Sequence, residues 1–180
     1  MEKVGTDLAK NVETASAPED DNIRTFDVVI EAKAKTAGTA RNEVTIHSLF
    51  SDTYWDMPTD EGPYHGGESS APPPLAYFVT GVVACLMTQI RAFSKRLKVP
   101  VDGVEVDARF HWQGEQVGRN PYAGRPQKID LDIDIQSDCS AEDLTRLIKA
   151  AKEGCFAEQS IELAFPIGHR LKVGDDWVEV

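Results

Sequence analysis

The chain has 180 residues, 41% of them hydrophobic, and a formal net charge of −11 from 30 acidic and 19 basic side chains. That length suits one domain with a tail. The charge argues against nucleic acid and anionic membrane surfaces, which need a positive footprint. Three cysteines, an odd count without dense spacing, argue against a disulfide framework and fit a reducing compartment.

Met1–Asn22 is polar, rich in Ala, Thr and acidic residues, and closes on Ala17-Pro-Glu-Asp-Asp. It reads as a flexible tail, 1–22, ahead of a single domain, 23–180. No basic segment followed by an apolar run opens the chain, so a cytoplasmic location is expected. Thr25–Ala34 alternates, with Phe26, Val28 and Ile30 on one face, and predicts a half-buried strand. Thr36–Thr39 is a turn, and Arg41–Phe50 is a second strand completing a hairpin. Ser51–Thr59 carries Tyr54, Trp55 and Met57 and suits a short third strand. Asp60–Pro74 is a long loop with two adjacent glycines and four prolines, three of them consecutive, and loops of that length are often functional.

The stretch Pro72–Leu97 organises the rest. Its prolines stop any helix upstream and pre-set the backbone for a new one. From Leu75 to Ile90 no residue is charged, and Leu75, Phe78, Val82, Leu86 and Ile90 recur at helical spacing. A helix apolar nearly all round is a core helix or a membrane span. The uncharged run falls short of about 18–20 residues and contains Thr, Gly and Gln, which favours a central buried helix. In so lean a chain, that helix suggests sharing with a second subunit.

After a turn at Val99–Gly103, Val104–Trp112 alternates and predicts a strand. Gln113–Gln127, with Gly, Asn-Pro and Arg-Pro, reads as a loop. Lys128–Gln136 alternates strictly, with Ile129, Leu131, Ile133 and Ile135 inward and Asp130, Asp132 and Asp134 on a solvated face. Ser140 and Asp143 form a capping-box-like helix start. Leu144, Leu147, Ile148 and Ala151 give that helix its apolar stripe, Gly154 ends or interrupts it, and Cys155 follows at once. Arg170–Val173 and Trp177–Val180 flank Gly174-Asp-Asp as a terminal hairpin. Strands, long helix, two strands, helix and hairpin make an α+β chain with antiparallel sheets packed around a long central helix.

Cys85 sits in the middle of the long helix, where cysteine normally behaves as a small inert hydrophobe. Cys155 sits at a helix break, where a side chain can point into a cleft. Seventy positions separate them, so only the fold can bring them together. Cys139, beside a helix cap, reads as a bystander. His65 and His111 have no partner at ligand spacing. Too few Cys/His pairs suit a zinc site, and no nucleotide or flavin motif appears, so no metal or cofactor is expected.

His65-Gly-Gly with Ala71-Pro-Pro-Pro-Leu, then Gly81-Val-Val-Ala-Cys85, then Ala150-Ala-Lys-Glu-Gly-Cys155 with Ser160-Ile161, resembles the OsmC/Ohr (osmotically inducible protein C / organic hydroperoxide resistance) family. The resemblance runs from Ile23 to the C-terminus. It implies an OsmC-like fold in an intertwined homodimer, with the long helices at its centre. It also implies a thiol peroxidase that reduces organic hydroperoxides. Cys85 matches the peroxidatic cysteine and Cys155 the resolving one, with a thiol or dithiol as reductant. The chemistry is coherent, because a sulfenic acid condenses with a second thiol to a disulfide before it over-oxidises. The attacking thiol needs a cation to lower its pKa. Arg41 is the match to the family's arginine, with Arg24 as runner-up. One departure stands out. The family often places a glutamate nine residues before the first cysteine to hold that arginine, and here Ala76 stands there, with Glu61 and Glu68 the nearest substitutes. This leaves a rival reading, a non-catalytic OsmC-like protein that binds a small apolar ligand in the cavity at the dimer interface. Tyr54, Trp55, Tyr64, Tyr77 and Phe78 either line an apolar entrance or pack in the core and interface.

Overall fold

The computed structural model describes residues 23–163 and 165–180, and the expected tail lies outside the described residues. The chain divides into two units that meet between Ala76 and Tyr77.

The first unit is an antiparallel sheet in the order β1 (Ile30–Thr36), β2 (Asn42–Ser48), β3 (Thr53–Asp56). The hairpin is in register from Ile30↔Ser48 to Thr36↔Asn42. Its first strand begins later than alternation suggests. Phe26 and Val28 precede β1 and are exposed. Alternation marks a strand only where a second surface covers one of its faces. Beyond β3 the chain makes one bridge, Asn42↔Thr59, and enters the Gly-rich loop. A short 3₁₀ turn, Pro63–His65, ends on Gly66 in the left-handed region at φ +76°, which glycine adopts without penalty. At Gly67 a Cβ would run into the Glu61 carbonyl, so the loop doubles back on itself only because that side chain is missing. Among the described residues of this unit, the buried ones are Thr59 and Asp60.

The second unit is built on α1 (Pro74–Leu97), whose first turn lies before the division. By length and composition this helix would pass for a membrane span. Its line of buried residues, Val82, Leu86 and Ile90, instead docks on the core, and Arg91, Lys95 and Arg96 crowd its last turns. It is not buried all round: Leu75 and Phe78 remain half exposed. The hairpin of β4 (Gly103–Glu115) and β5 (Ala123–Gln136) supplies Val104, Leu131, Ile133 and Ile135 to that core. Asp132 and Asp134 face outward as expected, with Asp107 opposite Asp132 and Arg109 opposite Asp130, but at the start of the alternating run Ile129 is exposed and Asp130 half-buried. The predicted loop at 113–127 is shorter than expected, because the ladder continues to Glu115↔Ala123 past an irregularity at His111/Trp112.

α2 (Ala141–Gly154) starts at Ser140, whose Oγ accepts from the Asp143 N–H at 3.2 Å. Leu147 and Ala151 on its apolar stripe are fully buried. After one non-helical residue, Cys155, a further helix not foreseen from sequence, α3 (Phe156–Glu162), follows. Leu86, Ile90, Val99, Leu147, Ala151 and Cys155 form the core. Each fully buried Leu or Ile there contributes about 1.5–3 kcal/mol. The terminal hairpin, β6 (Arg170–Val173) with β7 (Asp176–Glu179), turns at Gly174 and exposes both faces.

Candidate active site

The two cysteines that lie seventy positions apart in the chain meet in the second unit. Cys85 projects from the middle of α1 and Cys155 from the break between α2 and α3, and the two thiols interact with each other. Both are free. A small residue makes the approach possible. A Cβ on Gly154 would lie 2.6 Å from the Phe93 ring of α1, so a larger residue there would have to push that ring aside.

Their surroundings differ. Cys155 is completely buried and belongs to the core, whereas Cys85 is partly exposed at its edge. Burial pushes the Cys155 thiol up to about 11, the Cys85 thiol and the Glu158 carboxyl push in the same direction, and the Glu158 backbone N–H opposes them. Cys155 is therefore a protonated thiol at neutral pH. Cys139 is occupied elsewhere, with its sulfur 3.9 Å from the Pro100 carbonyl, in keeping with a bystander.

Glu158 is a site residue that sequence reading missed. It lies on α3 at the third helical position after Cys155, is only 8% exposed, and its Oε1 has no hydrogen-bond partner. Burial raises its pKa, Lys152 lowers it, and Glu162 raises it further. A signal existed in the spacing Cys155-Phe-Ala-Glu158, which is that of a capping box. The carboxyl faces a cavity of about 380 Å³ whose walls include Val82, Leu86, Leu131, Ile133 and Ile148. Lys152 and Glu162 also line this cavity, and their ion pair measures 3.5 Å.

Arg41 belongs to the first unit, immediately before β2. Its Nε donates to Glu43 Oε1 at 2.8 Å and its Nη1 to Ser70 Oγ at 2.8 Å. Ser70 in turn donates through Oγ to Asp60 Oδ2 at 2.8 Å. Asp60 also accepts from the backbone N–H groups of Glu61, Glu68 and Ser70. The Ser70 backbone N–H and hydroxyl, then those of Glu68 and Glu61, hold its carboxyl below the usual carboxylate range against burial. The carboxylates that fix Arg41 are thus Glu43 directly and Asp60 through Ser70. Neither expected substitute does so: Glu61 lies 3.7 Å from His65, and Glu68 serves Asp60 through its backbone. Glu43 was legible, two residues beyond Arg41 and at the start of the alternation that β2 carries on. Together with Gly66, Gly67 and Glu68, Arg41 lines a polar cavity of about 230 Å³. Of the five aromatics noted in the sequence, Tyr54, Trp55, Tyr64 and Phe78 are exposed rather than packed in a core. Among the described residues, no group of three or more His, Cys, Asp or Glu could hold a metal.

Residues 66–170 match a protein-family model described as OsmC-like protein. The crystal structure of an OsmC-like hydroperoxide resistance protein from Jannaschia sp. CCS1 is 41% identical over 85% of this chain and 98% of its own, with a TM-score of 0.59. An OsmC-like protein from Mycoplasma pneumoniae shares the fold at 15% identity and a TM-score of 0.56, over 77% of this chain and 89% of its own. An organic hydroperoxide resistance protein OsmC from Legionella pneumophila does so at 18% identity and a TM-score of 0.51, over 77% and 91%. No curated protein matches the chain.

Proposed function

Since the chain belongs to the OsmC-like protein family, we propose that it is a thiol peroxidase reducing organic hydroperoxides, with Cys85 as the attacking cysteine and Cys155 as the resolving one. The observation that carries this reading is the meeting of a partly exposed thiol with a fully buried one. A peroxide reaches Cys85 first. The Cys85 thiolate attacks the distal oxygen, the O–O bond breaks, an alcohol leaves, and a sulfenic acid remains. Cys155, kept as a thiol by its burial, then displaces that oxygen as water and closes a disulfide. A thiol or dithiol restores the pair. The name of the Jannaschia relative, a hydroperoxide resistance protein, supports the substrate class.

Arg41 is the proposed activating cation, since a guanidinium favours the thiolate and this one is already oriented by Glu43 and Ser70. The assembly we propose is a homodimer. It is supported by the half-exposed Leu75 and Phe78 of α1 and by a first unit that, among its described residues, buries no apolar side chain. Free thiols on all three cysteines suit a cytoplasmic location.

A second reading has its own observation. An aliphatic cavity with one unpaired carboxyl, in a chain with Ala76 where the family often has a glutamate, also suits a protein that binds a small apolar ligand. One experiment separates the two. The reduced protein is given one equivalent of tert-butyl hydroperoxide and its peptides are mapped by mass spectrometry. The peroxidase reading expects a Cys85–Cys155 disulfide with Cys139 free, and no peroxide consumption in Cys85→Ser. Consumption no faster than by free cysteine leaves the ligand-binding reading in its place.

A further inference from the structure

We propose that the cavity walled by α1, β5, α2 and α3 binds a primary aliphatic amine, with its hydrocarbon chain on the aliphatic walls and its ammonium on the Glu158 carboxylate. The inference rests on the ligand-binding reading above and deepens it by naming the head group. It does not depend on thiol chemistry, because among the described residues neither Cys85 nor Cys155 lines the cavity.

The walls follow the periods of the elements that build them. Val82 and Leu86 stand four apart on α1, Ile129, Leu131 and Ile133 alternate on β5, and Ile148 comes from the apolar stripe of α2. On α3 the same inward face carries Ile161 and, one turn earlier, Glu158. An apolar side chain at position 158 would complete the wall. The glutamate that stands there is only 8% exposed, and its Oε1 has no hydrogen-bond partner. A buried carboxyl oxygen left unpaired is costly. A ligand that brings a donor to it removes that cost.

The body of the ligand is set by the walls and the volume. A cavity of about 380 Å³ falls in the range of small-molecule sites, about 300–1,000 Å³. Water fits it poorly, since a buried water needs about two to four polar partners and hydrocarbon walls supply few. The head is set by charge. Lys152 from α2 and Glu162 from α3, each about half exposed, pair with each other at 3.5 Å. Neither α1 nor β5 adds a titratable group to the walls. Glu158 is then the unbalanced charge among the described lining residues. An ammonium donates to that carboxylate and neutralises it, and such a charge-assisted bond is about twice as strong as a neutral one. A hydroxyl supplies the hydrogen bond without the charge, and a second carboxylate is repelled. Burial works against the ionised form of Glu158, and a bound ammonium restores it.

The test titrates the reduced full chain with n-hexylamine, 1-hexanol and hexanoate by isothermal calorimetry, three probes of one chain length. Hexylamine should bind with a Kd below about 1 mM, 1-hexanol about tenfold more weakly, and hexanoate not at all. Glu158→Gln should weaken hexylamine by about 10–100-fold and leave 1-hexanol nearly unchanged. A primary amine keeps its charge from about pH 5 to 8. In wild type its affinity should therefore fall as acid protonates Glu158, and the fall should be lost in Glu158→Gln, which keeps Lys152 and Glu162. Equal affinities for hexylamine and 1-hexanol, an equal loss of both in the variant, or a fall in acid that persists in the variant overturns the ammonium assignment and leaves a plain apolar site. The wild-type profile needs no variant, and an affinity that does not fall in acid overturns the assignment alone. Failure of both hexylamine and 1-hexanol to bind overturns the ligand-binding reading with it. Peroxide consumption is scored separately, so the peroxidase reading stands or falls on its own.

Discussion

A guanidinium helps a thiol only if it is held still. Arg41 is held by Glu43 and by Ser70, and Ser70 is held by Asp60. The carboxyl of Asp60 has a folded pKa below its ordinary 3.8. A depressed carboxylate contributes stability that is present above the unfolded value and is lost as pH falls through the folded one. The Asp60 end of the network is therefore intact across the neutral range and loosens only in acid below the usual carboxylate range. Arg41→Ala should raise the pH at which Cys85 reacts with iodoacetamide while leaving the thermal transition close to wild type. Arg24→Ala should do less. An unchanged alkylation profile in Arg41→Ala removes that residue from the site.

The element that sets the thiol pair is the junction of α2 and α3. Gly154 lets it press on Phe93 of α1, and an added methyl at 2.6 Å from that ring must displace it. Gly154→Ala should cost about 1–3 kcal/mol by overpacking and slow formation of the Cys85–Cys155 disulfide. Gly124→Ala, where a Cβ meets nothing within 4 Å, should do neither. Chemical denaturation and timed alkylation would read both. Elements with one period and one covered face were legible in the sequence: the strict alternation of 128–136, the apolar stripe of α2, and the long helix. What misled was punctuation. Gly114, Gly124 and Pro126 read as loop residues, yet all three pair in the β4–β5 ladder. Pro126 is tolerated because it sits beside the irregularity at His111/Trp112, where regular pairing is already broken. The site was legible in part for the same physical reason. Cys85 stands in a periodic helix and Cys155 directly follows one, whereas Asp60 and Ser70 act through a loop whose path no period reveals.

At the scale of the whole molecule, what remains is uncovered apolar surface. Phe26, Ile30, Phe50, Tyr54 and Trp55 are exposed in the first unit, and Leu75 and Phe78 on the long helix. Apolar area of this extent normally meets a partner. Sedimentation of the full chain should show a homodimer at micromolar concentration, with an obligate interface of about 2,000 Å² or more. A folded monomer under those conditions counts against it.

The membership of Cys155 in the core has one more consequence. A bond from Cys85 to Cys155 would enclose β4, β5 and α2 in a single covalent loop. Closing a loop of that length removes disorder from the unfolded chain worth about 4 kcal/mol. By linkage, the same free energy makes the bond harder to reduce in the folded protein than in the unfolded one. By the same cycle, a mutation far from either sulfur that destabilises the oxidised fold more than the reduced one would make the oxidised protein easier to recycle.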